Sequence, residues 1–387
     1  MMHRELTGQI GTASRPREVV ARIDARRRKG LTRVGPETRV AGLTLLGRHV
    51  LTAEYLGWAG VEILVDDEAE REQIAALLRR DPAPSRLSVA IVVPAPDIAS
   101  PEERWRGIAL DLYAVYDRET LAAYTAAAPP EPLAVVTGLA DVRGAREALL
   151  HSVRKSVSHD GVVGAYVLRR LSDPIVRLLL DTPVTPNQVT IVAGLCGLVA
   201  GVLAATGGNE RAALAGVLVW IGAVIDCVDG DLARLRFQSS RLGQWLDSIA
   251  DDFSTAALQA GLGIGLAVDG SGAAWGYGGT VCGVLMFGTS LKMWIDLDRW
   301  RLPIDTARYP WSFGDPARRI DRDAGIGERV LYGLGFVMKR DAFLTIVAAI
   351  LLFGLRRSAT VLLCAGSLII FVLQLANSAW TALVKRR

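Results

Sequence analysis

Two pairs of aspartates, each at the end of an apolar run, constrain this chain more than any other feature. The stretch reads Asp226-Cys-Val-Asp229-Gly230-Asp-Leu-Ala233-Arg234, then eight residues, then Gly243-Gln-Trp-Leu-Asp247-Ser-Ile-Ala-Asp251. Ionised carboxylates are costly at membrane depth, so a cluster of them marks a functional site. On a helix, a step of three residues turns about 60° and a step of four about 40°. Each pair therefore points in one direction. The chain from Arg234 to Gly243 is long enough to turn between antiparallel helices, which brings the pairs side by side at a membrane face. Four anions need a countercharge, and hard divalent cations, Mg²⁺ or Mn²⁺, suit oxygen donors. Gly230 leaves room for a ligand and Ala233 keeps the next turn slim. Arg234 offers a fixed cation to phosphate, and Gly243 lets the second helix approach closely.

The apolar residues are unevenly spread. Six apolar segments follow residue 188: Val189–Thr206, Ala212–Val228, Leu242–Val268, Ala273–Ile295, Ala342–Leu355 and Ala359–Leu383. Several approach the roughly 20 residues that cross a bilayer. The fifth is short and has room to begin upstream, near Arg340. Cations set the orientation. The loop from Asp298 to Arg340 carries Arg299, Arg301, Arg308, Arg318, Arg319, Arg322, Arg329, Lys339 and Arg340. The second connection carries Arg234, Arg236 and Arg241, and the chain ends Lys385-Arg386-Arg387. Six spans put all three on the cytoplasmic side with the N-terminal half. Arg356 and Arg357 fall on the wrong side. The net charge of +4, with cations clustered beside apolar spans, suits a membrane bearing anionic lipids and not a nucleic acid. Cys196, Cys227, Cys282 and Cys364 have no metal-ligand spacing and read as small buried hydrophobes.

The first half has a different texture. Residues 1–37 read as a basic segment centred on Arg26-Arg27-Arg28-Lys29, and they lack the apolar core of a signal peptide. Residues 38–140 alternate between strand and helix: a strand over Val61–Val65, a helix over Glu68–Arg80, a strand over Leu87–Val93 and a short one over Ala134–Thr137. That alternation predicts a layered α/β domain. Residues 141–184 form a linker. It holds a helix from Asp141 to Lys155 and an amphipathic helix from Gly161 to Leu180. The latter sets Val163, Tyr166, Val167, Ile175, Leu178 and Leu179 against Arg169, Arg170 and Arg177, a pattern that suits a membrane interface. Residues 185–387 are the membrane domain. The fold class expected is thus an all-α polytopic membrane domain of six transmembrane helices, preceded by a cytoplasmic α/β domain.

The aspartate stretch resembles the signature of the CDP-alcohol phosphatidyltransferase family, Asp-x2-Asp-Gly-x2-Ala-Arg-x8-Gly-x3-Asp-x3-Asp. All eight fixed positions match, at Asp226, Asp229, Gly230, Ala233, Arg234, Gly243, Asp247 and Asp251. Thr185-Pro186-Asn187-Gln188-Val189-Thr190 also resembles the Thr-Pro-Asn-x-x-Thr segment that often opens the family's first span. Thr185 and Pro186 suit a helix start in their own right.

The resemblance implies six transmembrane helices, a homodimer and two divalent cations, Mg²⁺ or Mn²⁺. It implies metal ligation by Asp226, Asp229 and Asp247, with Asp251 as general base and further metal contact. Asn187, Gly230, Ala233, Arg234 and Gly243 would lie near the cytidine diphosphate. The donor would be a CDP-activated alcohol such as CDP-diacylglycerol. The acceptor would be a polar alcohol or phosphorylated polyol, with inositol phosphate favoured, and CMP would leave. Lys292, Lys339 and Arg340 are the cations that would hold an acceptor phosphate, although each also suits positive-inside anchoring. Asp231 and Asp252, outside the fixed positions, read as surface or supporting residues. The run from Gly42 through Gly60 into the Val61–Val65 strand is similar to nucleotidyltransferase-like folds, without their Gly-rich loop; Ala41-Gly42-Leu-Thr-Leu-Leu-Gly47-Arg48 is too poor in glycine for one.

Three other readings stand beside this. CDP-inositol as donor would give a soluble phosphodiester. An intramembrane prenyltransferase would want Asp-Asp-x-x-Asp, whereas Asp251-Asp252 leads into Phe253-Ser-Thr. A divalent-cation transporter accounts for the carboxylates but not for Gly230, Ala233 and Arg234. The expected location is a prokaryotic plasma membrane, with the active site and both ends of the chain cytoplasmic.

Overall fold

The computed structural model describes residues 20–25, 35–80, 87–93, 108–116, 121, 131–154, 161–306, 309–311 and 339–384. The chain divides into two compact units. One is Met1–Arg154 with Arg234–Phe237, and the other is Lys155–Ala233 with Gln238–Arg387.

In chain order the first unit runs β1 (Val20–Asp24), β2 (Arg39–Val40), β3 (Leu43–Thr44), α1 (Leu45–Tyr55), β4 (Gly60–Leu64), α2 (Glu68–Arg80), β5 (Ser88–Val92), β6 (Ile108–Asp111), β7 (Ala114–Val115), β8 (Ala134–Val135) and α3 (Asp141–Ser152). Four strands form one parallel sheet in the order β5-β4-β1-β6. This is the third-second-first-fourth order with which a doubly wound sheet begins. The register aligns Ile23 with Ile63 and Leu110, all buried. Arg22 pairs with Glu62 across the same two strands, Nη2 to Oε2 at 2.9 Å. Parallel strands with apolar side chains in register need covering on both faces, which explains the helices between them. Buried His49 lies 3.0 Å from the Asp111 carbonyl through Nε2. Burial pushes its pKa down to about 4, so the ring is neutral and its proton sits on Nε2, facing an oxygen that only accepts.

The expected α/β region with a parallel sheet is present, but its centre was not expected. Strand β1 lies within the segment read as a basic tail and is an inner strand of the sheet. The Arg26–Lys29 cluster lies outside the described residues. The glycine-poor stretch near Gly42 is a tight hairpin. Ala41 and Gly42 both have positive φ, 51° and 82°, the turn that matches strand twist. Thr44 then caps α1, accepting from the Gly47 amide at 2.9 Å. The Ala134–Thr137 strand shrinks to β8, which pairs antiparallel with β7 outside the main sheet.

The second unit is helical. A π-helical turn, Gly164–Leu168, leads into α4 (Arg169–Leu179). Then come α5 (Pro186–Ala205), α6 (Asn209–Leu235), α7 (Arg241–Leu266), α8 (Ala273–Arg299), α9 (Arg340–Leu352) and α10 (Arg356–Val384). Four of these, α5, α6, α8 and α10, are long and apolar enough to cross a membrane. Helix α7 is long enough, but Asp247, Asp251 and Asp252 lower its hydropathy, and α9 has 13 residues. Such helices make this an integral membrane protein.

Helix α7 packs along α5 on one side and α8 on the other. Small residues bring α5 and α7 together. A Cβ placed on Gly197 would lie 2.1 Å from the Ser254 Cβ, and one on Gly261 would lie 2.1 Å from the Gly201 carbonyl. Close backbone approach of this kind replaces the hydrophobic drive that lipid does not supply. The carboxylate pairs of α6 and α7 were expected side by side, and Val219 of α6 does share a buried cluster with Leu258 and Leu262 of α7.

The misplaced cations have an explanation. Arg356 pairs with Asp269 at 2.5 Å and donates to Asn209 Oδ1 at 2.6 Å. Arg357 reaches Ser271 Oγ at 3.1 Å. Asp269 also accepts from the Gly208 amide at 2.8 Å. That amide, and then Arg356, hold its carboxyl below the usual range. The three turns after α5, α7 and α9 are thus tied at one end of the helices, and paired arginines no longer argue against the orientation. The cations at Arg308, Arg318, Arg319, Arg322, Arg329 and Lys385–Arg387 lie outside the described residues.

Candidate active site

Helix α6 carries Asp226 and Asp229, and α7 carries Asp247 and Asp251. Asp226, Asp229 and Asp247 each offer a carboxylate oxygen, and these oxygens all lie within 4.8 Å of one another. Oδ1 of Asp226 is buried with no hydrogen-bond partner. A buried orphan oxygen in a group of like charges is what a bound cation would satisfy. Three hard oxygen donors suit Mg²⁺ or Mn²⁺, so the residues fit the divalent ions expected. Asp251 stands slightly apart: its carboxylate forms an ion pair with Arg340 Nη1, and the same nitrogen lies 3.7 Å from Asp226 Oδ2.

Helix α5 supplies the support. Thr185 and Gln188 form a capping box, with the Thr185 amide donating to Gln188 Oε1 at 2.9 Å. This fixes the start of α5 at Pro186. Asn187 then abuts Gly243: a Cβ there would lie 3.1 Å from Asn187 Oδ1. One turn on, buried Thr190 donates its hydroxyl to Asp229 Oδ2. Sequence reasoning quoted Thr190 as part of the opening segment but gave it no role. Removing an orienting partner of this kind typically costs roughly 10–100-fold in metal affinity. Thr190→Val should therefore weaken Mn²⁺ binding by about tenfold or more, and Thr190→Ser should not. Titration of Mn²⁺ by electron paramagnetic resonance measures both; equal affinities for Val and wild type would contradict the role.

The rotation of α7 is fixed from the other side by the segment after α8. Arg241 donates to Asp298 Oδ1 at 2.8 Å and to the Leu302 carbonyl at 2.7 Å. The Ile304 amide donates to Gln244 Oε1, and Ser248 donates to the Ile304 carbonyl, both at 3.3 Å. Gln244 and Ser248 flank Asp247, so these bonds help aim its carboxylate. Tyr309 closes the segment, donating to Asp296 Oδ2 at 2.9 Å. Burial pushes its phenol up to about 12, so it stays a donor.

The three cations expected to hold an acceptor phosphate have different neighbours. Lys292 pairs with Asp296 on its own helix at 2.6 Å. Lys339 caps α9 and runs beside Gly161. Arg340 reaches the carboxylates of Asp251 and Asp226. Asp252 bonds Ser290. Asp231 is buried, not on the surface, and Arg169 holds it at 2.7 Å. In the π-helical turn and α4, Arg169, Ser172, Asp173 and Val176 are buried, while Tyr166, Val167 and Leu178 are exposed. The exposed apolar side suits lipid. Gly230, Ala233 and Arg234 lie on the last turns of α6, beyond Asp229.

The profile of the family described as CDP-alcohol phosphatidyltransferase matches residues 183–373. The bifunctional IPC transferase and DIPP synthase of Thermococcus kodakarensis is 34% identical over 113 residues, 29% of this chain and 25% of that protein. The archaetidylinositol phosphate synthase of Pyrococcus horikoshii is 33% identical over 99 residues, 25% of this chain and 51% of that protein. The phosphatidylinositol phosphate synthase of Corynebacterium glutamicum is 35% identical over 99 residues, 25% of this chain and 44% of that protein. The match thus spans about a quarter to a half of these relatives' length. The family profile covers the helices that carry the aspartates, the eight signature positions are intact, and three of the carboxylates converge: over residues 183–373 this chain belongs to the CDP-alcohol phosphatidyltransferase family of enzymes.

Proposed function

We propose that the chain moves a phosphate-linked alcohol, such as a phosphatidyl group, from a CDP-activated donor to a hydroxyl of an inositol phosphate, releasing CMP. The observation that carries this is the convergence of Asp226, Asp229 and Asp247 beside Asp251 and its guanidinium partner Arg340. Relatives named for phosphatidylinositol phosphate and archaetidylinositol phosphate synthesis favour the inositol acceptor.

In this reading all six helices from α5 to α10 cross the membrane and the carboxylates face the cytoplasm. Asp226, Asp229 and Asp247 would hold the divalent ions, with further contact from Asp251. Bound there, the ions would neutralise charge on the diphosphate and on the departing phosphate. Asp251 takes the proton of the acceptor hydroxyl. The freed oxygen attacks the phosphorus that bears the donor's alcohol. A new P–O bond forms, the bridging P–O bond breaks, and its electron pair leaves with CMP. Gly230 and Ala233 leave space for the cytidine diphosphate, with Asn187, Arg234 and Gly243 beside it. Arg340, next to the base, holds the acceptor's phosphate; Lys292 and Lys339 are left to anchor the spans.

A second reading keeps the site and takes CDP-inositol as donor. Similarity to the bifunctional IPC transferase and DIPP synthases favours it. One assay separates the two. Purified chain with Mg²⁺ receives CDP-diacylglycerol or CDP-inositol, each with labelled inositol phosphate. The first reading predicts CMP and a label extracted into organic solvent. The second predicts CMP and a water-soluble label. No CMP from either donor would contradict both.

A further inference from the structure

Arg169 and Asp231 take no part in the chemistry above, yet they form an almost fully buried ion pair. Their side chains are 6% and 3% exposed, and both Asp231 oxygens lie 2.7 Å from Arg169 Nη1. Burying two charges carries a large desolvation cost, so such a pair is weak evidence for stability and better evidence for specificity of arrangement. Its place is informative. Asp231 follows Gly230 directly and stands two residues after Asp229. Arg169 follows Leu168, which packs on Ala223 and Val224 of α6. At its other end the same helical segment begins at Gly161, whose Cβ position lies 3.0 Å from Lys339 Cδ. One interfacial segment thus touches α6 at its carboxylate turn and the start of α9, which carries Arg340.

We propose that Arg169 and Asp231 are positioning residues: the pair clamps the Asp229–Gly230 turn of α6 to the interfacial segment and so shapes the seat of the donor's diphosphate. The proposal rests on the function proposed above for the same site. It accounts for a carboxylate inside the signature stretch that is turned away from the metal cluster. It also accounts for an arginine on the protein-facing side of a helix whose outer side is apolar. The clamp acts on the donor and leaves the acceptor side, at Arg340 and Asp251, to other contacts.

The test uses the full chain in lipid nanodiscs with Mg²⁺, CDP-diacylglycerol and inositol phosphate. Arg169→Met alone takes the guanidinium away from a buried carboxylate and should lower the melting temperature. Arg169→Met combined with Asp231→Leu removes both buried charges and should recover it. The donor KM should nevertheless stay raised about tenfold or more in the double variant, as for other lost supporting contacts, with the acceptor KM unchanged. Hydrogen exchange across residues 226–233 should be faster in both variants. A double variant with the wild-type donor KM would make the pair structural only and overturn the proposal. So would a lower kcat with both KM values unchanged, the sign of a smaller active fraction. If wild type itself releases no CMP, the proposed function fails, and exchange still decides the clamp: unchanged exchange overturns it.

Discussion

Asp247→Asn should abolish CMP release while the chain stays folded. Asp247 is the member of the converging carboxylates that α7 contributes; Asp226 and Asp229 come from α6. Asparagine keeps the shape and removes the charge, so the two helices lose the shared anionic ligand set that bridges them. Metal charge stabilisation is worth several kcal/mol, and each ~1.4 kcal/mol is tenfold in rate. A loss on the order of 10³-fold or more follows. Stability should not fall, because removing one of several like charges relieves repulsion when no cation is bound. Turnover assays beside a thermal melt measure both. Full activity in this variant would remove Asp247 from the metal site.

Gly197→Val should disable the enzyme through packing alone, although Gly197 touches no substrate in the proposed reaction. The valine Cβ would start 2.1 Å from the Ser254 Cβ and 2.8 Å from its Cα. Backbone stands on the other side of the contact, so α5 and α7 must separate. Overpacking of this kind costs about 1–3 kcal/mol, occasionally more. The functional cost is larger. Thr190 on α5 orients Asp229, and α7 carries Asp247 and Asp251, so a shift between these helices displaces one set of carboxylates from the other. A misplacement of roughly 1 Å can cost about 10²-fold. Gly288→Ala on α8 is the control, since nothing lies within 4 Å of its Cβ position. It should be neutral, or stabilising by about 0.5–1 kcal/mol as a helical glycine replaced. Measured melting temperatures and CMP release should separate the two variants. Wild-type values for Gly197→Val would contradict the packing account.

Much of the site was legible because its information is local. Spacings of three and four residues aim two carboxylates from one helix, and the intervening residues are long enough only for a turn. The helix starts were legible too, since Thr185, Pro186 and Gln188 act within one turn. The fifth helix begins at Arg340, where the charge at the end of the apolar run placed its possible start. What was not legible depends on partners far along the chain. Asp231 reads as either a surface or a supporting residue until Arg169 arrives from 62 positions away. Arg356 looks misplaced until Asp269 meets it. Strand β1 is five residues long and stands beside a run of arginines. Its membership of the sheet depends on β4 and β6, which pair with it from distant parts of the chain.

The most direct measurement is CMP release by the purified wild-type chain from CDP-diacylglycerol and inositol phosphate, followed through removal and return of divalent cation. The account predicts release with Mg²⁺ or Mn²⁺, none after chelation, and recovery when the cation is restored. CMP release that persists unchanged after complete chelation would contradict it.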